Sequence, residues 1–198
     1  MRAKINQTNF DDLRSMDFQE VVHRTGCDYF PDSKEYKVMI WGKNYCVDLK
    51  ANIIIPDDPG EKTYHDFLYL FILFYLMKSQ RQPVSNEWVS EKDITGGAAF
   101  FRGPHTIPTD VITRCFGDNL SLFENRCEAL DGKKIDFADA AFAFEITPTI
   151  KVAVLYWQGD EDFESEARLL FDKTIEQHLP LDIIFALAVE ICHKLSES

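Results

Sequence analysis

Apolar residues recur along the first third of the chain with two different periods, one typical of helices and one typical of strands. In residues 9–24 they fall at roughly helical spacing, and Gly26 follows as a stop signal, which predicts an amphipathic helix. Residues 35–41 and 45–49 are rich in β-branched and aromatic side chains and flank a short turn that contains glycine. This arrangement is the signature of a β-hairpin, and residues 52–55 are placed to add a third strand.

Residues 67–77 form an uninterrupted apolar run. A membrane-spanning helix needs about 20 such residues, so this run is too short to cross a bilayer, which argues against a membrane partner. We predict instead that it forms the middle of a helix over residues 62–79. Since the run is apolar on every side, this helix should be buried in the core. The alternative is a lipid or partner protein that contacts an exposed part of the same helix.

Shorter elements of both kinds follow in the second half of the chain. The pattern predicts a short strand at 98–101, helices at 107–115 and 118–130, strands at 142–146 and 151–157, an apolar piece at 169–171 that is either strand or helix, and a final helix at 180–195. Asp118 and Asp182 stand where they could cap the helix at 118–130 and the final helix. Strands and helices do not alternate regularly, so we predict an α+β fold, with an antiparallel sheet packed against several helices including the buried one.

Composition agrees with one soluble domain over residues 1–198, because the chain is 45% hydrophobic and 27% charged, which is ordinary globular usage. The formal net charge is −12, from 33 acidic and 21 basic residues, and no cluster of Lys and Arg offsets it. Such a chain repels phosphate backbones, which argues against nucleic acid as a partner. The cysteines are irregularly spaced and no signal peptide is recognised, so we predict reduced thiols in a cytoplasmic protein.

The stretch from Trp88 to His105 concentrates backbone-permissive, titratable and aromatic residues. Gly96 and Gly97 allow backbone conformations that a β-carbon would block, so amides there could hold an anion. Arg102 is a forked donor for a carboxylate or phosphate, and His105 could serve as an acid, a base or a ligand. We predict that these residues, with Trp88 as an aromatic wall, form a pocket for a small anionic or polar ligand. The alternative is a structural loop in which Arg102 pairs with an acidic side chain.

An enzyme is a second class of function that this stretch permits. His105 would act as a general acid or base with Asp93 or Asp172 as its partner, which requires hydrogen-bond reach between the two groups and an open cleft. A protein–protein interaction module is a third class, and an exposed face on the helix at 67–77 would support it. We favour a non-catalytic binding module, and we place the enzyme last because no standard catalytic motif occurs.

Standard motifs for cofactors and metals are missing from the sequence. No Gly-Lys-Ser/Thr follows the glycines as in a phosphate loop, and neither Gly-x-Gly-x-x-Gly nor Gly-x-Ser-x-Gly occurs. The cysteines and histidines lack the paired spacing of zinc ligands, and the acidic run 160–166 lacks the glycine and the spacing of a calcium loop. We therefore predict no cofactor and no metal site, and we interpret the acidic run as a solvated face.

Four short motifs occur in one order along the chain and together carry a resemblance to a known family. They are residues 95–105 (TGGAAFFRGPH), 154–160 (VLYWQGD), 167–172 (ARLLFD) and 179–182 (LPLD). In this order they resemble an uncharacterised family of anaerobic bacteria, domain of unknown function 3786. The resemblance covers residues 28–198 and leaves residues 1–27 as an N-terminal helix. It implies a cytoplasmic protein of an anaerobe, accessory to redox or cofactor metabolism, and it supplies no substrate or catalytic residue.

Overall fold

Two antiparallel sheets and the helices packed against them make up the computed structural model, which describes residues 6–58, 60 and 66–197. The helices are α1 Gln7–Ser15, α2 Phe18–Thr25, α3 Phe67–Lys78, α4 Gly97–Phe100, α5 Asp110–Phe116, α6 Leu120–Ala129, α7 Ile175–His178 and α8 Leu181–Ser196, with a 3₁₀ turn at Gly103–His105. The strands are β1 Asp28–Phe30, β2 Glu35–Ile40, β3 Lys43–Asp48, β4 Ile53–Pro56, β5 Trp88–Val89, β6 Lys133–Lys134, β7 Ala140–Thr147, β8 Ile150–Trp157 and β9 Glu166–Asp172. This arrangement confirms the predicted α+β class.

The first sheet has the order β1-β2-β3-β4, and every neighbouring pair is antiparallel. Its centre is the predicted hairpin, in which Val38 lies opposite Tyr45. The predicted third strand is confirmed as β4, which pairs with β3. Tyr36, Val38 and Ile40 are buried and the residues between them are more exposed, which is the alternation expected for a sheet with one face on the core.

The second sheet has the order β5-β9-β8-β7-β6 and is also antiparallel throughout. The predicted strand pair is confirmed as the hairpin β7–β8, and the apolar piece at 169–171 belongs to the strand β9. The central strand β8 is buried on both faces. Val154 and Tyr156 face the main core, whereas Ala153 and Leu155 belong to a smaller apolar cluster on the opposite face.

The predicted core helix is α3, which packs against α8. Seven of its residues are buried, and Tyr69, Leu70 and Phe74 are half-buried against the same core. Because its apolar surface is used within the chain, α3 gives little support to a partner contact. The predicted start of this helix at residues 62–65 lies outside the described residues.

The prediction of one helix over residues 9–24 is wrong. Two helices, α1 and α2, occupy this segment, because the backbone is extended at Met16, with φ −80° and ψ 153°. Asp17 then caps α2, and its carboxylate accepts a hydrogen bond from the backbone N–H of Gln19 at 3.0 Å. A capping aspartate in the middle of a helical apolar pattern is therefore the signal for the break.

The predicted strand at residues 98–101 is also wrong, because the chain forms the short helix α4 there. Gly96 adopts the left-handed conformation, with φ 78°, and turns the chain sharply. The N–H of Phe100 can then donate to the carbonyl of Gly96 at 3.1 Å, which closes one helical turn. Four residues are too few for an apolar period to distinguish a strand from a helix.

The caps of the later helices differ from those predicted. Helix α6 begins one residue after Asn119, and the side chain of Asn119, not that of Asp118, accepts a hydrogen bond from Leu122 N at 3.0 Å. Helix α8 has Pro180 at its N-cap and no side-chain cap, so the predicted capping role of Asp182 is wrong. Asp182 instead lies in the first turn, where its negative charge favours the helix dipole.

Trp41 joins the two sheets. Its backbone N–H donates to the carbonyl of Ile146 at 2.8 Å, and its indole N–H donates to the carbonyl of Leu130 at 3.1 Å. Its ring meets Phe144 edge-on, with 5.1 Å between the ring centroids. Three kinds of contact at one residue therefore fix the first sheet against the second.

Candidate functional site

The stretch from Trp88 to His105 folds into a strand, a turn and two short helical segments. Trp88 lies in β5 opposite Asp172, half-buried against the smaller apolar cluster of the second sheet. Gly97 is buried, and a β-carbon at this position would lie 1.9 Å from the carbonyl oxygen of Glu91. The chain therefore needs glycine at 97 for a close approach of two backbone segments.

Asp93, one of the predicted acid/base partners, is committed to the turn that follows β5. Its carboxylate accepts hydrogen bonds from the side chain of Ser90 at 2.6 Å and from the backbone N–H of Ser90 at 3.0 Å. These two bonds lower the pKa of Asp93, because they stabilise its charged form. The residue is exposed and acts as a local turn-forming group.

Asp172, the other predicted carboxylate partner, is buried at the end of β9. It accepts hydrogen bonds from the backbone and side chain of Ser85, the backbone of Asn86, and the backbone and side chain of Thr174. Burial acts to raise the pKa of Asp172, but these hydrogen bonds outweigh it, so the net effect lowers the pKa. This carboxylate holds the segment before β5 onto β9.

The contacts of the His105 ring are with aromatic side chains and not with Asp93 or Asp172. Its ring stacks on Phe100, with 4.4 Å between the ring centroids, and meets Phe185 of α8 edge-on at 5.4 Å. Within the described part of the chain, no ion pair joins His105 to an acidic side chain. Each of the three residues of the enzyme hypothesis therefore has its own partners, and the structure does not bring them into one hydrogen-bonded set.

The amides of the glycine stretch are largely used within the chain. The N–H of Thr95 donates to the carboxylate of Glu176 at 2.9 Å, and the N–H of Gly97 donates to the carbonyl of Ile94 at 2.7 Å. The hydrogen bond from Thr95 lowers the pKa of Glu176, which keeps a negative charge beside these amides. Arg102 is exposed and forms no ion pair with any residue that the structure describes.

A shallow depression of about 610 Å³ lies beside this stretch. Thr95 and Phe100 form one side of it, and Glu176 and Asp182 contribute carboxylates to the other. Neither Arg102 nor His105 is among its lining residues. The predicted anion site is thus divided, with the glycine turn at the depression and the two cationic or titratable side chains outside it.

A larger groove of about 710 Å³ lies on the other side of the same stretch. We call it the edge groove, and its walls are residues 165–170 with Leu155 and Trp157 on one side, and residues 90–92 with Phe101, Thr106, Ile107, Thr109, Asp110 and Thr113 on the other. The second wall is the chain that enters α5 together with the turn after β5. The edge groove therefore uses part of the predicted stretch, but not the five residues predicted to bind a ligand.

Charges of both signs line the edge groove, and its acidic groups are partly neutralised by neighbours. The ion pairs are Asp110–Arg114 at 2.8 Å and Glu166–Arg168 at 2.5 Å. Lys92 is exposed and forms no ion pair with the described residues. In a chain with net charge −12, this groove is locally close to neutral, and Lys92 is its one lining cation without an ion pair among the described residues.

A buried polar cluster around His178 is a feature that the sequence analysis did not predict. The backbone N–H of Gln80 donates to His178 Nδ1 at 3.2 Å, and the Ser79 hydroxyl lies 3.2 Å from the same atom. Burial lowers the pKa of His178, and the negative charge of Asp172 offsets part of this effect. A neutral, acceptor-bearing ring thus ties the end of α3 to α7, and none of its bonds points into the edge groove.

The described residues provide neither of two further kinds of site, a metal cluster and a membrane-spanning helix. No group of three or more His, Cys, Asp or Glu side chains there is arranged to hold a metal ion. None of the described helices combines the length and the apolar character that a membrane crossing requires.

The model of one protein family matches most of the chain. This family is described as Domain of unknown function (DUF3786), and the match covers residues 17–194. No curated protein and no solved structure matches the chain. The matched residues include both sheets, α3 and every residue of the edge groove, so the groove is part of the family's domain.

Proposed function

We propose that this chain, which belongs to the DUF3786 family, is a non-catalytic binding module whose ligand lies in the edge groove. The observation that carries the proposal is a groove of about 710 Å³ that places strand backbone, apolar side chains and cations around one space. Ligand sites in proteins are concave, about 300–1,000 Å³ in volume, and combine apolar walls with a few polar groups. The edge groove has this size and this mixture.

Binding is favoured over catalysis because the candidate acid and base residues are already occupied by contacts within the chain. Asp93 and Asp172 are held by hydrogen bonds within the chain, and His105 is stacked between aromatic rings. Proton transfer needs an acid or base within hydrogen-bond reach of the substrate and of its own partner. These three residues have no such mutual arrangement, and they lie outside the lining of the edge groove.

A fragment screen tests this proposal on the full chain. Two-dimensional NMR of the ¹⁵N-labelled protein would be recorded with polar, anionic and aromatic fragments, each added separately. We expect the largest amide shifts at residues 165–170, at Lys92 and around Thr106, because these line the edge groove. No binding at all, or shifts that cluster elsewhere, would overturn the proposal.

Two matched substitutions locate the site. Thr106 is exposed and lines the edge groove, whereas Thr95 is exposed and lines the shallow depression. Thr106→Trp fills the groove and should weaken fragment binding at least tenfold, while Thr95→Trp should leave it unchanged. The reverse pattern would assign the ligand to the depression.

A small anionic ligand at the glycine stretch is a second candidate function. It is supported by the exposed guanidinium of Arg102 and by the open space at Gly96 beside the depression, where an added β-carbon would meet only Leu181 at 3.4 Å. The sequence adds His105 and Trp88 to this site, although neither lines the depression, so Arg102 is the residue that tests it. Anionic fragments that shift residues 95–105 and lose affinity in Arg102→Ala would support this site.

The cellular setting is part of the proposal. All five cysteines are free thiols, which supports a reducing compartment such as the cytoplasm. The resemblance to a family of anaerobic bacteria supports a role accessory to anaerobic metabolism. Sequencing the genomic neighbourhoods of relatives would test this setting, and a random assortment of neighbours would contradict it.

A further inference from the structure

We infer that the ligand of the edge groove is an extended peptide segment of a partner protein, which pairs with β9 as an added strand. This inference rests on the binding function proposed above and specifies its ligand. Its starting point is that residues 165–170 all line the edge groove without interruption. Because successive side chains of a strand point to opposite faces, an unbroken series indicates that the groove follows the edge of β9. Leu155 and Trp157 of β8 also line it, so it extends from this edge over the face that carries Glu166 and Arg168.

This edge of β9 is paired for only part of its length. Strand β5 lies beside β9 at Phe171 and Asp172, and it ends at Val89. Residues 166–170 pair with β8 on their other side, and no strand among the described residues pairs with them on the side of the groove. The edge groove therefore begins where the chain stops pairing its own strand edge.

The direction of the backbone groups follows from the pairing with β5. Lys173 N donates to the carbonyl of Glu87 at 2.8 Å, and Phe171 lies opposite Val89 two positions further on. In an antiparallel ladder every second residue directs both its N–H and its C=O to the same neighbour. The N–H and C=O groups of Leu169 and Ala167 therefore point into the edge groove, where an added strand would bond to them.

The length of the free edge of β9 and the volume of the edge groove favour a single extended peptide segment as the ligand. The free part of the edge spans five residues, 166–170, and at a rise of about 3.4 Å per residue it is roughly 17 Å long. A groove of about 710 Å³ has room for a short peptide between its two walls, but not for the sheet of a second folded copy. Strand addition of this kind gives affinity through main-chain hydrogen bonds and specificity through pockets for alternate side chains.

The side chains of the groove define the chemistry of the segment. Partner residues opposite Leu169 and Ala167 would point to the face on which Phe101 and Ile107 pack, so apolar residues fit there. The partner residue between them would lie opposite Arg168, whose side chain is 62% exposed. Arg168 already pairs with Glu166 at 2.5 Å, and a partner carboxylate at this position would share its guanidinium, since opposite charges directly across two strands attract. The expected segment alternates apolar, acidic and apolar residues.

Peptide display on the full chain tests the inference. Phage-displayed random dodecapeptides would be selected for binding to the wild-type protein. Phage that also bind the Thr106→Trp variant would be removed, because they do not need the open groove. The selected sequence would be made as a synthetic peptide, and as a second peptide with N-methyl groups on the alternate residues that bond to Leu169 and Ala167. We expect the selected peptides to show an apolar–acidic–apolar pattern and to slow amide exchange at Leu169 and Ala167 on binding. N-methylation should weaken the affinity at least about tenfold, because the main-chain hydrogen bonds to the peptide are lost.

Each other outcome overturns the inference in a recognisable way. Fragments that bind in the groove while no peptide is selected would leave the binding function standing and remove strand addition. Selected peptides whose affinity is unaffected by N-methylation would bind through side chains and not as a strand. Amide protection at Ala167 and Leu169 that increases with protein concentration alone would assign the edge to a second copy of the chain.

Discussion

At the scale of single residues, Asp172 shows how one carboxylate can hold two distant segments together. Its oxygens accept hydrogen bonds from Ser85, Asn86 and Thr174, and the residue is buried. Three of the donors are backbone N–H groups, and that of the buried Thr174 would otherwise need another partner inside the protein. Asp93 uses the same chemistry on the surface, with Ser90 as its only donor in the described structure.

We predict that Asp172→Ala lowers the free energy of unfolding by about 1–3 kcal/mol, because it leaves the buried N–H and hydroxyl of Thr174 without their acceptor and removes the bonds to Ser85 and Asn86. The measurement is urea unfolding, with the midpoint and slope fitted for each variant. Asp93→Ala is the matched control, and it should change the midpoint far less because its donor stays in water. Equal shifts in the two variants would contradict the structural role of Asp172.

The partners of these residues could not be predicted from the sequence. Asp93 and its donor are three positions apart, so a local turn was foreseeable there, whereas Asp172 and Ser85 are brought together only by the pairing of β5 with β9. The same reason separates His105 from both carboxylates. Residue types indicate which chemistry is available, but tertiary pairing decides which groups meet.

At the scale of elements, periodicity predicted the long pieces and failed on the short ones. The hairpins β2–β3 and β7–β8 and helix α8 repeat a pattern over enough residues to identify it, whereas α3 is indicated by the length of its uninterrupted apolar run and not by a period. Helix α4 and strand β5 are too short to carry a period, and both line or adjoin the edge groove. The candidate site therefore lies in the part of the fold that sequence patterns describe least well.

The start of α6 gives a direct test of how a helix end is specified. We predict that Asn119→Ala lowers the free energy of unfolding by about 1 kcal/mol, because the N–H of Leu122 loses its side-chain acceptor and keeps only the backbone carbonyl of Asn119 at 3.1 Å. Asp118→Ala is the matched control at the position that the sequence favours, and it should have a smaller effect. Thermal or urea unfolding of both variants measures the difference, and a larger loss in Asp118→Ala would show that the cap is misassigned.

At the scale of the whole molecule, the two sheets share one core. Buried residues of the first sheet, such as Val47, and of the second, such as Phe144, belong to the same apolar cluster as α3 and α8. Trp41 adds hydrogen bonds from the first sheet to the strand β7 and to the end of α6. The prediction of a single domain over the chain follows from this continuity and remains to be tested.

We predict that the chain unfolds in one cooperative step. The three tryptophans report on different places, since Trp41 lies at the junction of the sheets and Trp88 and Trp157 lie against the smaller cluster of the second sheet. In Trp41→Phe, and in the double variant Trp88→Phe/Trp157→Phe, the urea midpoint from fluorescence should equal that from far-UV circular dichroism. Two separate transitions in either variant would indicate that the sheets are independent units.

The close approach at Gly97 has a consequence for how this domain can vary in evolution. Any side chain at 97 would have to displace the backbone carbonyl of Glu91, which lies in the turn that ends β5 and forms one wall of the edge groove. Substitution of Gly97 is therefore not tolerated unless the turn that contains Glu91 changes as well. A lineage that changed the length of this turn could accept a side chain at 97, and the same change would reshape one wall of its edge groove. We therefore expect loss of glycine at 97 to accompany a changed groove.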